Sequence, residues 1–186
     1  MGRPRSVDRE HLLDTAETLV SASGAAGLSF GGIAAAAGVP KASVQSAFGT
    51  KEALIEAMLE RWIGREQERF ARAAGPDPDP RARIQAHLRT LCEEPADESS
   101  RVATLLAAMA GSGEQIASAA RWYAARVGDL SARTPEARRL RIAFLAAEGA
   151  YYIRHLVGFD LSDAVWREIF ADLERMADDP GIDRPA

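Results

Sequence analysis

Between Ser29 and Phe48 the chain reads SFGGIAAAAGVPKASVQSAF, and the triplet Gly38–Val39–Pro40 in its middle limits what these residues can fold into. Glycine ends helices because it takes the left-handed backbone of a helix C-terminus without steric cost. Proline opens them, since the N–H it lacks is unpaired in a first turn anyway. The spacing predicts a short helix from about Ser29 to Ala37, broken by Gly38, and a second with Pro40 in its first turn. Ile33 and Ala37 face inward in the first. Val44 and Phe48, four residues apart, face inward in the second. Two short helices joined by a tight turn need a preceding helix to pack on.

That helix is available. HLLDTAETLV puts Leu12, Leu13, Ala16, Leu19 and Val20 on one face, with Asp8 or Ser6 as its cap and Gly24 or Gly27 as its end. After the pair, Thr50 caps a longer helix reaching about Ala73. GPDPDP, Gly75 to Pro80, is the clearest break, because prolines alternating with aspartates cannot continue a helix. Asp79 and Pro80 then open a helix to about Glu93, and EEPADESS reads as a loop. Helices follow near Arg101–Ala110 and Gln115–Leu130. Thr134 and Pro135 open a long apolar helix to about Val157, and Ser162 starts a last one to about Ala177. No strand-period stretch and no internal repeat stands out. The expected class is all-α: a three-helix helix-turn-helix domain over residues 1–50, then a larger helical domain over 51–186.

The 186 residues are 47% hydrophobic, enough for a sizeable core. A net charge of -4 excludes a wholly basic nucleic-acid coat protein. The charge is uneven, however: +1 up to Lys51 and -5 beyond it, so a local DNA-binding face is compatible with an acidic whole. The single cysteine, Cys92, cannot form an intramolecular disulfide and fits a reducing cytoplasm. No apolar run approaches the ~18 residues that span a membrane, and MGRPRSVDRE is not followed by an apolar signal segment. A cytoplasmic protein is expected. His11, His87 and His155 are isolated and lack metal-ligand spacing. Neither a glycine-rich phosphate loop nor a nucleophile elbow appears. No metal, cofactor or enzymatic activity is expected.

With Val39, Val44 and Phe48 inward, Lys41, Ser43, Gln45, Ser46 and Ala47 remain for the outer surface of the second short helix. They are short and mostly uncharged, and several can hydrogen-bond. A helix lying in a major groove needs small side chains for close approach and amides or hydroxyls to read base edges. Spacing alone admits two readings, a DNA-reading helix or a trihelical core segment with a polar face.

From Arg9 to about Trp62 the chain resembles the N-terminal domain of the TetR/AcrR family of bacterial repressors. The resemblance rests on REHLLDTAETLVSASGAAGLS, IAAAAGV and KASVQSAFGTKEAL. It implies that Ser29 stands where a threonine caps the second helix and touches phosphate. It implies that Lys41 is a recognition-helix lysine and that Lys51 holds a phosphate at the start of the fourth helix. Three positions depart from the pattern. Gln45 replaces an aromatic backbone contact, Ala47 a histidine, and Gly31–Gly32 a polar or charged pair. Gly31 and Gly32 lower helix propensity by about 1 kcal/mol each relative to alanine. Ser43, Gln45 and Ser46 complete the expected DNA-contacting set. The GRPR arm adds Arg3 and Arg5, which either reach phosphates or a minor groove or form a solubilising tail.

The resemblance further implies a regulatory domain that encloses a small-molecule effector and dimerises through its last two helices on a palindromic double-stranded operator. Trp62, Leu105, Met109, Trp122, Tyr123, Phe144, Glu148, Tyr151 and His155 are the chosen effector-site candidates. Phe70, Leu91 and Tyr152 are further wall residues. Glu148 interrupts an apolar helix, and a buried carboxylate needs a partner, which Tyr151 or His155 could supply. Ala143, Ala146, Ala147 and Ala150 allow close helix contact, and Val165, Ile169, Phe170, Leu173 and Met176 face inward on the last helix. The alternative class is an all-helical interaction or small-molecule-binding protein that does not touch DNA.

Overall fold

A computed structural model describes residues 8–24, 27–109 and 113–179, with side chains placed except at 97, 101, 105–109 and 113–119. Every regular element among them is helical. These are α1 (Arg9–Ser23), α2 (Phe30–Ala37), α3 (Lys41–Phe48), α4 (Lys51–Ala74), α5 (Pro80–Glu93), α6 (Ala96–Met109), α7 (Gly113–Val127), α8 (Pro135–Tyr151, continued by a π turn over Tyr152–Leu156) and α9 (Asp163–Asp178). The all-α expectation holds. Contacts group the chain into two compact units, Met1–Gly64 with Asp97–Ala110 and Arg65–Ala96 with Gly111–Ala186.

The start signals in the sequence work as caps. Side-chain oxygens of Asp8, Ser29, Thr50, Asp79, Thr134 and Ser162 each accept a first-turn backbone N–H, at 2.8–3.3 Å. Such a bond is worth about 1 kcal/mol. Pro40 sits one position earlier than the sequence reading placed it, at the N-cap of α3 rather than inside its first turn. EEPADESS is not a loop: only Glu94 and Pro95 lie outside helices there, and α6 starts at Ala96. A proline just before a helix removes no intrahelical bond, and Glu98 places negative charge where the helix dipole favours it.

In the first unit, Leu12, Leu13, Ala16 and Val20 of α1 pack with Ile33 and Ala34 of α2, Val44 and Phe48 of α3 and Leu54, Ile55, Met58 and Leu59 of α4, and Val102 of α6 joins them. Gly38 closes α2 with φ 66° and ψ 33°, the left-handed conformation the turn requires. Ala34 is buried more deeply than Ala37, which is half-buried. Polar pairing adds to the core. Glu10, Asp14 and Glu17 lie on one face of α1, and all three accept from the Arg61 guanidinium of α4, at 3.1, 2.6 and 3.1 Å.

In the second unit α5 packs against α7, α8 and α9. Its core joins Ile84, Leu88 and Leu91 to Leu140, Ala143, Phe144 and Ala147 of α8 and to Trp166, Phe170, Leu173 and Ala177 of α9. The π turn ends α8 with a Val157 N–H to Tyr152 C=O bond of 3.1 Å. Ala143 and Ala147 are fully buried, whereas Ala146 is exposed. Val165 and Met176 face outward rather than into the core, at 41% and 36% exposure. Ile142, Leu145, Tyr152, Ile153 and Leu156 are exposed with them.

Phe48 is 7% exposed and anchors an eight-residue helix. Phe48→Ala is expected to destabilise the protein by about 3 kcal/mol or more, measured by urea unfolding followed by circular dichroism.

Candidate DNA-reading surface and effector cleft

α3 is anchored by Val44 and Phe48, so its opposite face is open. Lys41, Ala42, Gln45 and Ser46 are exposed there, and Ser43 and Ala47 are half-buried at its flanks. Lys41 and Gln45, and Ala42 and Ser46, are four residues apart and so share one face over two turns. Lys41 is the first residue of α3, and Lys51 the first of α4. These are the chain's two lysines among 23 basic residues. Helix N-termini carry unpaired N–H groups and a partial positive charge, which both suit a phosphate.

Gln45 is not idle in the free protein. Its amide Nε2 donates to the Gly49 carbonyl, folding the side chain onto the C-terminus of its own helix. The amide oxygen is left to accept. Ser29 caps α2 through Gly32 N–H at 3.1 Å. A Cβ at position 32 would lie 3.3 Å from that hydroxyl, whereas one at 31 would meet nothing. Gly32 therefore gives the cap room, and Gly31 has no packing reason. Arg3 and Arg5 lie outside the described residues.

Among the effector-site candidates, four come together. Tyr123 packs edge-on against Trp122, at 4.9 Å between ring centroids, and against Phe144 at 5.9 Å. The Tyr123 hydroxyl donates to Glu148 Oε2 at 2.6 Å. Tyr123, Phe144 and Glu148, with Ala124, Val127, Gly128 and Leu130, line an open cleft of ≈ 480 Å³. Tyr151 and His155 belong elsewhere, in an aromatic group with Trp166 (4.9 and 5.5 Å). Trp62 packs against the core of the first unit. The side chains of Leu105 and Met109 lie outside those described.

Glu148 finds its partners in Tyr123 and His87, not in Tyr151 or His155. His87, fully buried on α5, meets Glu148 Oε1 through Nε2 at 2.8 Å. Its other nitrogen, Nδ1, receives the Nε–H of Arg126 at 2.9 Å. Arg126 is itself 2% exposed. It also donates to Thr90 Oγ1 at 2.6 Å and to Glu66 Oε1, with its guanidinium 4.3 Å from the Phe70 ring and 4.7 Å from that of Trp122. Arg69 then bridges Glu66 and Glu94 at 2.6 and 3.0 Å. Burial pulls the Arg126 guanidinium below its ordinary pKa, against the opposing pull of Glu66. Burial also pushes the Tyr123 hydroxyl well above its own, with the Glu148 charge adding to it.

Glu66, His87, Thr90 and Arg126 were not singled out from the sequence. Glu66 had a readable signal. It falls on the apolar stripe of α4, in step with Leu59, Trp62 and Phe70, where a lone charge demands a buried partner. Nothing local marks Arg126, because its partners come from α4 and α5.

Residues 12–58 match the model of the tetR family of bacterial regulatory proteins, and residues 81–178 that of the tetracyclin repressor-like C-terminal domain. The chain belongs to the TetR family. Membership makes it a DNA-binding transcriptional regulator, of a family whose members bind DNA and small-molecule effectors. Among solved structures, the multidrug binding protein EbrR complexed with imidazole is 26% identical over 92% of this chain and 93% of its own, with a TM-score of 0.60. The same protein complexed with ethidium gives 25%, 92%, 99% and 0.56. A transcriptional regulator from Rhodococcus sp. Rha1 shares the fold at 22% identity and a TM-score of 0.69, over 92% of this chain and 96% of that one. No curated protein matches this TetR-family chain. Among its described residues no helix is long and apolar enough to cross a membrane, and no group of three or more His, Cys, Asp or Glu could hold a metal.

Two predictions follow from the buried groups. Arg126→Ala removes one of the two arginines that hold the buried Glu66 and leaves it with Arg69 alone, and is expected to destabilise the regulator by about 3 kcal/mol. Adding Glu66→Ala is expected to cost less than the sum of the two single changes, by a double-mutant cycle in urea. His155, half-buried, is held down to about 4 from 6.5 by burial and then by Arg154. The unfolded chain therefore binds this proton first, and the group's contribution is lost as pH falls from about 6.5 towards 4. Thermal midpoints over that range are expected to drop less in His155→Gln than in the parent.

Proposed function

We propose that this regulator is a ligand-responsive repressor, released from a palindromic operator by a small molecule bound in the cleft of Tyr123, Phe144 and Glu148. The observation that carries this reading is the hydrogen-bond chain behind the cleft. It runs from Glu148 through His87 and Arg126 to Glu66, and Glu66 lies on α4. The same helix begins with Lys51, beside the DNA-reading face of α3. A ligand that binds one arrangement of the chain better than another would shift α4, and with it the spacing of two DNA-binding heads. The EbrR complexes with imidazole and ethidium support a small molecule as the occupant.

In this reading residues 1–50 bind DNA and residues 51–186 bind effector and dimerise, in the cytoplasm. Lys51 and Ser29 hold phosphates, Lys41, Ser43, Gln45 and Ser46 enter the major groove, and Arg3 and Arg5 extend the contact. α8 and α9 cover each other's outer faces across a homodimer. Ile142, Leu145, Tyr152, Ile153 and Leu156 are exposed and recur, with the half-buried Gly149, at three- and four-residue steps, an apolar stripe that suits a second helix pair.

On DNA from upstream of its own gene, Lys51→Ala is expected to weaken binding evenly across sequences. It should also flatten the log K against log salt slope by about 2, one phosphate per protomer. An unchanged slope would remove Lys51 from the phosphate contacts. Leu145→Asp is expected to sediment as a monomer at micromolar concentration and to lose operator affinity. A parent protein that is itself monomeric would overturn the dimer.

A further inference from the structure

The partners of Glu148 restrict what the cleft can hold. Arg126 is a donor only, so the Nδ1 of His87 that receives it carries no proton. The one ring proton is then on Nε2, and it points at Glu148. Glu148 is thus held by a neutral imidazole and by the Tyr123 hydroxyl, which burial keeps protonated. The two cations of the network lie further back. Arg126 pairs with Glu66, and Arg69 with Glu66 and Glu94, so two arginines face two carboxylates before Glu148 is counted. The negative charge of Glu148 has no cation in contact with it among the described residues. Its side chain is 24% exposed, and two donors fill only two of its roughly four acceptor positions.

We propose that the cleft takes an organic cation with an apolar body, its positive group seated on the Glu148 carboxylate; this rests on the reading of the cleft as the effector site. Around that carboxylate the walls are Tyr123, Ala124, Val127, Leu130 and Phe144, with no arginine or lysine among them. An anion would meet the Glu148 carboxylate directly, while Arg126, the nearest cation of the network, lies behind His87. A neutral apolar ligand would bury the carboxylate further without pairing it, which is costly. A cation pairs it and meets two aromatic rings able to attract it. A volume of ≈ 480 Å³ suits a drug-sized molecule.

The test uses the full-length protein without DNA and two fluorescent probes of opposite charge, ethidium and 8-anilinonaphthalene-1-sulfonate. Ethidium is expected to bind the parent, and Glu148→Gln to weaken it by about tenfold or more. The anionic dye is expected to bind Glu148→Gln at least as well as it binds the parent. Glu148→Asp keeps the charge and is expected to retain ethidium within about threefold, which separates charge from disturbance of the fold. Phe144→Ala is expected to weaken whichever dye enters the cleft. If Phe144→Ala weakens ethidium but Glu148→Gln does not, the cleft stands and the cation proposal falls. If neither change affects either dye, the effector cleft itself falls. A parent that prefers the anionic dye, or binds no ethidium, also overturns the proposal.

Discussion

Arg126 carries its charge at a position 2% exposed, and α4 and α5 must deliver acceptors to it where α7 places it. Taking an ion out of water is expensive, and the cost is recovered only when its hydrogen bonds are made in good geometry. Glu66 from α4 and His87 and Thr90 from α5 take up its Nε and Nη2, whereas the buried Nη1 has no hydrogen-bond partner and the guanidinium lies against the Phe70 and Trp122 rings. A helix shifted by one residue would turn its acceptor away and leave a buried charge. An apolar core tolerates many sliding registers, whereas this one does not. The network therefore specifies how α4, α5 and α7 pack more than it adds net stability.

The same interaction also reaches the candidate effector cleft. Its outer end, Glu148, lines the cleft, and its inner end, Glu66, is on the helix that opens with Lys51. The link is an imidazole whose tautomer is set by the arginine behind it. Earlier along α4, in its middle, Arg61 gathers Glu10, Asp14 and Glu17 from α1. Within the first unit Arg61 holds α4 to α1, and within the second Arg126 pairs with Glu66 of the same helix. The candidate DNA-reading face needs little apparatus of its own: two eight-residue helices, a left-handed glycine between them and a phenylalanine beneath.

Much of the architecture was legible because its determinants are local. Caps, prolines and glycines act within three or four residues, so helix starts at Ser29, Thr50, Asp79, Thr134 and Ser162 could be read directly. The apolar periods of α1 and α3 also transferred without change. EEPADESS is not legible as a helix start, because a proline marks a loop as readily as it precedes a helix. Val165 and Met176 failed for a different reason. A helical period shows that a face is apolar, not whether the chain itself or another surface covers it.

The candidate site divided along the same line. Tyr123, Phe144 and Glu148 are legible in the sequence because aromatic rings and an interrupting carboxylate stand out in an apolar helix. Their gathering at one cleft, and the exclusion of Tyr151 and His155 from it, are not. By itself the sequence determined the helices, their caps, the polar face of α3 and the family, all from interactions between residues close in the chain. Only the tertiary structure decided that Arg126 meets His87, Thr90 and Glu66, and that Glu148 meets His87 rather than a cation among the described residues. Those pairings span 36 to 61 residues of chain. No local spacing encodes which distant charges a fold will bring together.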